Sequence, residues 1–439
     1  MTFVGVDPQQ VADFTAFSAA ARLMGVGRLE EATEIALDLL NRYPDPAHPE
    51  AAYIVGLATW WLKYDGPRAE ELLAHVVKHR PRVAEYWYNL GYVRQRQGKT
   101  LEAVSAYERA LAIHPQMAGA HVNLGNAKLA AGNVQGALTS YGAAMASGEQ
   151  HALARYNRAI AFLLTGHWKE GWADLECRWQ SPEFLARVAV PPYPSWDGTP
   201  PKPGQRLLVF AEQGLGDTVM CWRYHERLTE IWGADRVIWC VQPELVPILP
   251  GSVPMQGEWP EADFVLPAMS CMDRLGMQAG GAPYLSKGTP RAADPVPRRI
   301  GYVWAGSTTH ENDRLRSIPR DLLNPLLMLP GIEWVELQVG RGGTYQPKDW
   351  VETCERLLTL DLLITVDTCI AHVAGAMGVP TWMLLHTPPD YRWGYQGDTT
   401  LWYDALRLWR QTHQGDWVGV VERMSRVLSG SLRRRDTPD

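Results

Sequence analysis

Residues 84–117 read AEYWYNLGYVRQRQGKTLEAVSAYERALAIHPQM, and the same order of small and large positions restarts at Ala118 and Ala152, a period of 34 residues. Within the quoted unit the recurring positions are Trp87, Leu90, Gly91, Ala103, Tyr107, Ala110 and Pro115; the next unit carries Leu124, Gly125, Ala137, Tyr141 and Ala144. Small residues are needed where paired helices cross closely and aromatic ones fill the groove between neighbouring pairs, so this period predicts a helical solenoid. Two weaker units precede it, ending at Pro44 and Pro81 with Ala32 and Ala69 at the small position of the second helix. A fifth starts near Ala152 but has Gly171 in place of the usual alanine and crowds Trp168, Trp172 and Trp179 together. Such aromatic density predicts either a capping face against a following domain or part of a ligand surface.

These units resemble the tetratricopeptide (TPR) repeat family, and about five of them are expected over residues 1–180. The remainder of the 439 residues is too long for one further small domain. With 46% apolar and 21% charged residues the chain has ordinary globular usage, which argues against wholesale disorder or a fibrous fold. Lys plus Arg total 42 against 48 Asp plus Glu, so no global positive field favours nucleic acid or an anionic membrane. The six cysteines lack zinc-knuckle or C-x-x-C spacing and read as reduced, mostly buried thiols. No basic segment followed by an apolar run opens the chain, and the longest apolar stretch, Ala371–Leu385, is interrupted by His372 and Pro380. A cytoplasmic protein without a membrane span is therefore expected.

Residues 181–204 contain seven prolines and read as an interdomain linker, since such a run holds neither a regular helix nor a central strand. Beyond it, short apolar segments alternate with helical ones: Arg206–Ala211, Val237–Val241, Ile300–Trp304, Trp334–Gln338, Leu362–Val366 and Thr381–Leu385. This alternation predicts parallel sheets in βαβ units, and a second proline-rich break at Pro283–Pro297 divides them into halves at 205–290 and 291–439.

Three stretches carry candidate chemistry. The first expected strand runs into Glu212-Gln213-Gly214-Leu215-Gly216-Asp217-Thr218, a glycine turn before a helix. Such a turn offers free N–H groups to an anion or hydroxyl ligand, or is a plain βα connection with Asp217 as helix cap. It lacks the third glycine of a dinucleotide fingerprint and the Lys-Ser/Thr of a P-loop. The second stretch sets Gly306, Ser307, Thr308 and Thr309 just past a strand end, followed by Arg314 and Arg316. Paired guanidiniums and hydroxyls could clamp a phosphate, or the string is a solvated charged loop. In the third, a strand ends at Asp367 and Thr368 can cap a helix whose first turns hold Cys369 and His372. Its positive end suits a diphosphate, while a lone His372 is equally at home as a structural residue.

Together, Ala-Glu-Gln-Gly-Leu-Gly-Asp-Thr (211–218), Val-Trp-Ala-Gly (303–306), Asn-Asp-Arg-Leu-Arg-Ser-Ile-Pro (312–319), Val-Asp-Thr-Cys-Ile-Ala-His (366–372) and Pro-Asp-Tyr-Arg-Trp (389–393) resemble the bacterial TPR-containing glycosyltransferases and, more distantly, the heptosyltransferases. The resemblance implies a GT-B fold of two Rossmann-like α/β halves behind the TPR α-solenoid. It implies transfer with inversion from a nucleotide-sugar to a hydroxyl acceptor, without metal or other cofactor. The family's catalytic carboxylate falls on Asp217, with Gln213, Gly214 and Gly216 in the acceptor-side loop. Donor binding falls on Gly306, Ser307, Thr308, Arg314, Arg316, Asp367, Thr368, Cys369 and His372. No two aspartates are separated by one residue, so the Asp-x-Asp metal site of GT-A enzymes is missing. Cys369 replaces the usual heptosyltransferase glycine, and no histidine closely follows Asp217, so heptose is not the expected sugar. The solenoid is expected to recruit a protein or peptide acceptor, or to self-associate. The rival expectation is a TPR scaffold whose GT-B part binds nucleotide without turnover.

Overall fold

The computed structural model describes residues 8–42, 49–63, 65–148, 151–278, 280, 283–285, 288–290, 296–310 and 312–436. Pro44 and residues 291–295 of the second proline-rich break lie outside them. Two compact units are present, Met1–Ala161 and Phe162–Asp439.

The first unit is built from antiparallel helix pairs: α1 (Pro8–Gly25) with α2 (Leu29–Arg42), α3 (Pro49–Lys63) with α4 (Gly66–His79), α5 (Ala84–Arg96) with α6 (Thr100–Ile113), and α7 (Ala118–Ala130) with α8 (Val134–Ser147). Helix α9 (His151–Leu164) spans the boundary between the units. The repeated glycines are contact points. A Cβ on Gly91 would stand 2.8 Å from the Tyr107 ring, and one on Gly125 would stand 2.4 Å from Tyr141. Each ring is fully buried and its hydroxyl is satisfied, by Gln95 at 2.7 Å and Asn126 at 2.8 Å. Successive repeats are also stitched by hydrogen bonds: the Asn89 amide donates to the Tyr53 hydroxyl at 2.7 Å and the Asn123 amide to Tyr88 at 3.1 Å.

The second unit opens with α10 (Trp168–Leu175). Gly171 replaces alanine there because a Cβ would meet Leu163 at 2.6 Å. The crowded tryptophans are packing residues: Trp172 meets Tyr391 and Trp402 edge-on, and Trp179 meets Phe184 and Phe210. The proline-rich stretch is not a free tether. It contains a short helix at Pro182–Leu185, and Ser195 pairs in parallel with Val265; Trp196 is buried against Trp232.

Two all-parallel sheets follow. The first has β1 (Leu207–Phe210), β2 (Val237–Val241), β3 (Val253–Pro254) and β4 (Phe264–Pro267) in the order β3-β2-β1-β4. The second has β5 (Arg299–Tyr302), β6 (Glu333–Glu336), β7 (Leu362–Val366), β8 (Thr381–Leu385) and β9 (Leu406–Arg410) in the order β6-β5-β7-β8-β9. Fully buried strands, wholly apolar in β1 and apolar but for Thr365 in β7, are what a sheet covered on both faces requires. In each sheet the chain reverses its direction of travel beside the first strand, between β1 and β4 and between β5 and β7. In open α/β sheets ligands bind outside the carboxyl ends of strands at such a switch point. Among the described residues no helix is long and apolar enough to cross a membrane, and the six cysteines are unbridged, five of them buried.

Candidate functional site

Strand β1 delivers the chain into the extended Gly214, which starts the seven-residue helix Leu215–Cys221. That helix lies on the helix Cys369–Met377 behind β7. Gly216 is required at the crossing, since a Cβ there would meet the His372 ring at 2.7 Å. His372 is buried, its Nδ1 lies 2.9 Å from the Tyr403 hydroxyl, and burial, then Arg392, pushes its pKa down to about 3. It is a neutral packing residue at this joint and does not line the cavity described below, in contrast to its expected place on the donor side. Gln213 contributes its carbonyl, which accepts the Gln242 amide at 2.7 Å.

Asp217 stands at the third position of its helix with both oxygens engaged. The Gly214 N–H donates to Oδ2 at 3.0 Å, and the Arg392 guanidinium pairs with Oδ1. Arg392 also donates to Asp390 at 2.7 Å and lies over the Tyr391 ring. Around this pair gather Asp367, Arg316, His310 and His386. Asp367 is enclosed by protein yet keeps part of its surface open. Burial, then the like charge of Asp390, raises its pKa above the usual carboxylate range. Burial opposes ionisation of Asp390 as well, but Arg392 holds it below that range. Burial, with Arg316 and His310, lowers His386 to about 4. Among the described residues Arg316 Nε, Arg392 Nε and His386 Nδ1 are buried without a hydrogen-bond partner. Clustered orphan polar atoms are uncommon in a closed core and mark a place where a ligand's own groups would be welcome.

A cavity of about 670 Å³ opens beside this cluster. The ends of β5, β6 and β7 line it through Gly306, Ser307, Val339, Thr368 and Cys369, and the first sheet adds Leu215 and Glu244. Gln338 shapes the wall by accepting the Trp304 and Ala305 N–H groups at 3.1 and 2.9 Å. Gly306 is forced by Arg316, whose guanidinium would lie 2.6 Å from a Cβ there. Arg316 itself donates to the Asp367 carbonyl at 3.1 Å. Thr368 begins the helix in an extended conformation with no capping bond from its side chain. Cys369 is a thiol whose pKa burial pushes well up.

The expected clamp of two arginines is split. Arg316 is buried beside Asp367, whereas Arg314 is exposed and lines a different pocket, because the short helix Asp313–Arg316 turns the two side chains apart. Thr308 is exposed, while Ser307 bonds Thr309 at 2.8 Å. Sequence reasoning assigned no role to Arg392, Asp390 or His386, although Pro-Asp-Tyr-Arg-Trp contained two of them. It also passed over Tyr345, Lys348 and Trp350, which line the cavity from the segment after β6.

Tetratricopeptide repeat family models match residues 84–117 and 122–171, so the chain is a TPR repeat protein over that region. It is 24% identical over 324 residues to Protein FlbA of Caulobacter vibrioides, covering 62% of this chain and 54% of FlbA. The chain thus spans about half the length of this curated relative. Among solved structures it is similar to MamA from Desulfovibrio magneticus, at 20% identity and a TM-score of 0.33, over 38% of this chain and 92% of that one. A thermophilic TPR protein from Thermus thermophilus matches at 22% identity and a TM-score of 0.32, over 40% and 94% of the two chains.

Proposed function

We propose that the second unit is a metal-independent, inverting glycosyltransferase of the GT-B kind, and that the TPR helices bring a protein acceptor to it. The observation that carries this reading is convergence. The carboxyl ends of strands from two parallel sheets meet at one cavity of about 670 Å³, bordered by a helix N-terminus at Thr368 and by Gly306, behind which buried Arg316 packs. Tyr345 and Trp350 supply faces for a nucleobase, and Ser307 and Thr368 supply hydroxyls. The acceptor oxygen attacks the anomeric carbon, the bond to the nucleotide breaks on the opposite face, and Asp217 takes the hydroxyl proton. Arg316 and the helix N-terminus stabilise the departing phosphate. For Asp217 to act, its pair with Arg392 opens as acceptor arrives.

That same pair favours a second reading, a TPR interaction scaffold whose α/β unit binds nucleotide without turnover, since both Asp217 oxygens are already engaged. Calorimetry with nucleoside diphosphates and CMP, followed by donor-hydrolysis and transfer assays on a panel of nucleotide-sugars, separates the two. Turnover that disappears in Asp217→Asn while nucleotide affinity persists supports the transferase. Tight binding with no turnover for any donor and acceptor supports the scaffold. Arg316→Ala should weaken nucleotide binding by about 1.5–3 kcal/mol, the scale of a charge-assisted hydrogen bond; unchanged affinity removes it from the site.

A further inference from the structure

The loop after β5 borders a second pocket, of about 590 Å³, with its later residues. Three arginines from two segments line it: Arg314 and Arg320 from that loop and Arg341 from the turn after β6. Trp304, Pro319 and Trp417 supply apolar walls. We propose that this pocket binds a phosphate monoester, its phosphate on the guanidiniums and its ring against the indoles.

The first argument is charge. No carboxylate lines the pocket, and Asp313 behind its wall is committed: one oxygen accepts the Ser317 hydroxyl at 2.7 Å and the other pairs with Arg341. Asp416, at the start of the last helix, is likewise committed, to the Gly419 N–H at 2.9 Å and the Thr412 hydroxyl at 2.7 Å. Arg320 lies over Trp304, 5.6 Å from the ring centre, with Glu336 as its nearby acid. Arg314 has no ion-pair partner among the described residues. The lining itself holds three guanidiniums and no carboxylate, and a bound dianion would complete the charge balance that Arg314 lacks.

The second argument is backbone. Arg341 is the one non-glycine residue with positive φ, at 55°, among the described residues. An L-residue held in that conformation is strained, and such strain persists where a side chain must be aimed. Here it delivers a guanidinium to the pocket wall. The pocket shares only Ala305 with the lining of the 670 Å³ cavity, and its proposed role does not depend on the proposed transferase activity.

Calorimetric titration of the full chain with inorganic phosphate and with a hexose phosphate tests this. The ester should bind, and more tightly than inorganic phosphate if the indole walls contribute; equal affinities would assign the pocket to free phosphate. Arg314→Ala and Arg341→Gly should each weaken binding at least tenfold, while Lys348→Ala in the larger cavity leaves it intact. Glycine accepts the backbone conformation at 341, so that variant loses the guanidinium without new strain. Exposed Arg314 gives a second test should the Arg341 variant fold poorly. No measurable binding of either compound, affinity untouched in both arginine variants, or loss in Lys348→Ala would each overturn the proposal.

Discussion

His372 and His386 share one electrostatic situation: each is buried, near an arginine, and disfavoured as a cation, with pKa values of about 3 and about 4. In the unfolded chain both titrate near 6.5, so between these values the unfolded state binds more protons than the folded one. Stability is therefore present above pH 6.5 and is lost as pH falls towards 4. His386→Gln removes one contributor, and its stability should fall less steeply on acidification, by up to about 1.4 kcal/mol per pH unit. Urea midpoints of both proteins at pH 7 and pH 5 measure this; parallel slopes would mean that His386 takes up protons equally in the folded and unfolded states. At this scale the sequence was only partly readable. Asp217, Arg316 and Asp367 stood in recognisable turns. Arg392 did not, because its importance comes from a partner 175 residues away, and no local pattern encodes such a distance.

Glycines at equivalent-looking places in neighbouring helices do opposite things. Gly125 in α7 touches the buried Tyr141 ring, and Gly125→Ala should destabilise the first unit by about 1–3 kcal/mol, the cost of overpacking. Gly142 in α8 has nothing within 4 Å of its would-be Cβ, so Gly142→Ala should stabilise by about 0.5–1 kcal/mol through backbone entropy. Chemical denaturation of both variants tests the pair, and the same sign in each would contradict the packing described. The 34-residue period exposed Gly125 because its contact repeats that of Gly91 with Tyr107 one unit earlier. Strands β2, β7 and β8 were legible to the residue, being apolar runs broken only by Thr365 and Thr381. β3 and β4 were not, since each ends on proline, and β9 alternates arginine with apolar residues on an edge.

For the whole molecule, recruitment by the TPR helices predicts a separation of effects. Deleting residues 1–150 should abolish transfer to a protein acceptor while donor hydrolysis persists. Equal transfer by the shortened chain would remove recruitment from the reading. The division into a helical repeat and an α/β region was visible from the change of hydrophobic period. The boundary was harder to see: α10, whose pattern continues the repeats, belongs with the second unit because its tryptophans pack there.

The proline-rich segment before β1 has a practical consequence. Its backbone exchanges hydrogen bonds with Val265, through Trp196 N–H at 2.8 Å and the Pro194 carbonyl at 2.9 Å, and its indole covers Trp232. A protease seeking a hinge should find poor footing at residues 194–196, and a fragment begun at Gln205 would start life with a bare aromatic flank and an unpaired sheet edge, inviting aggregation.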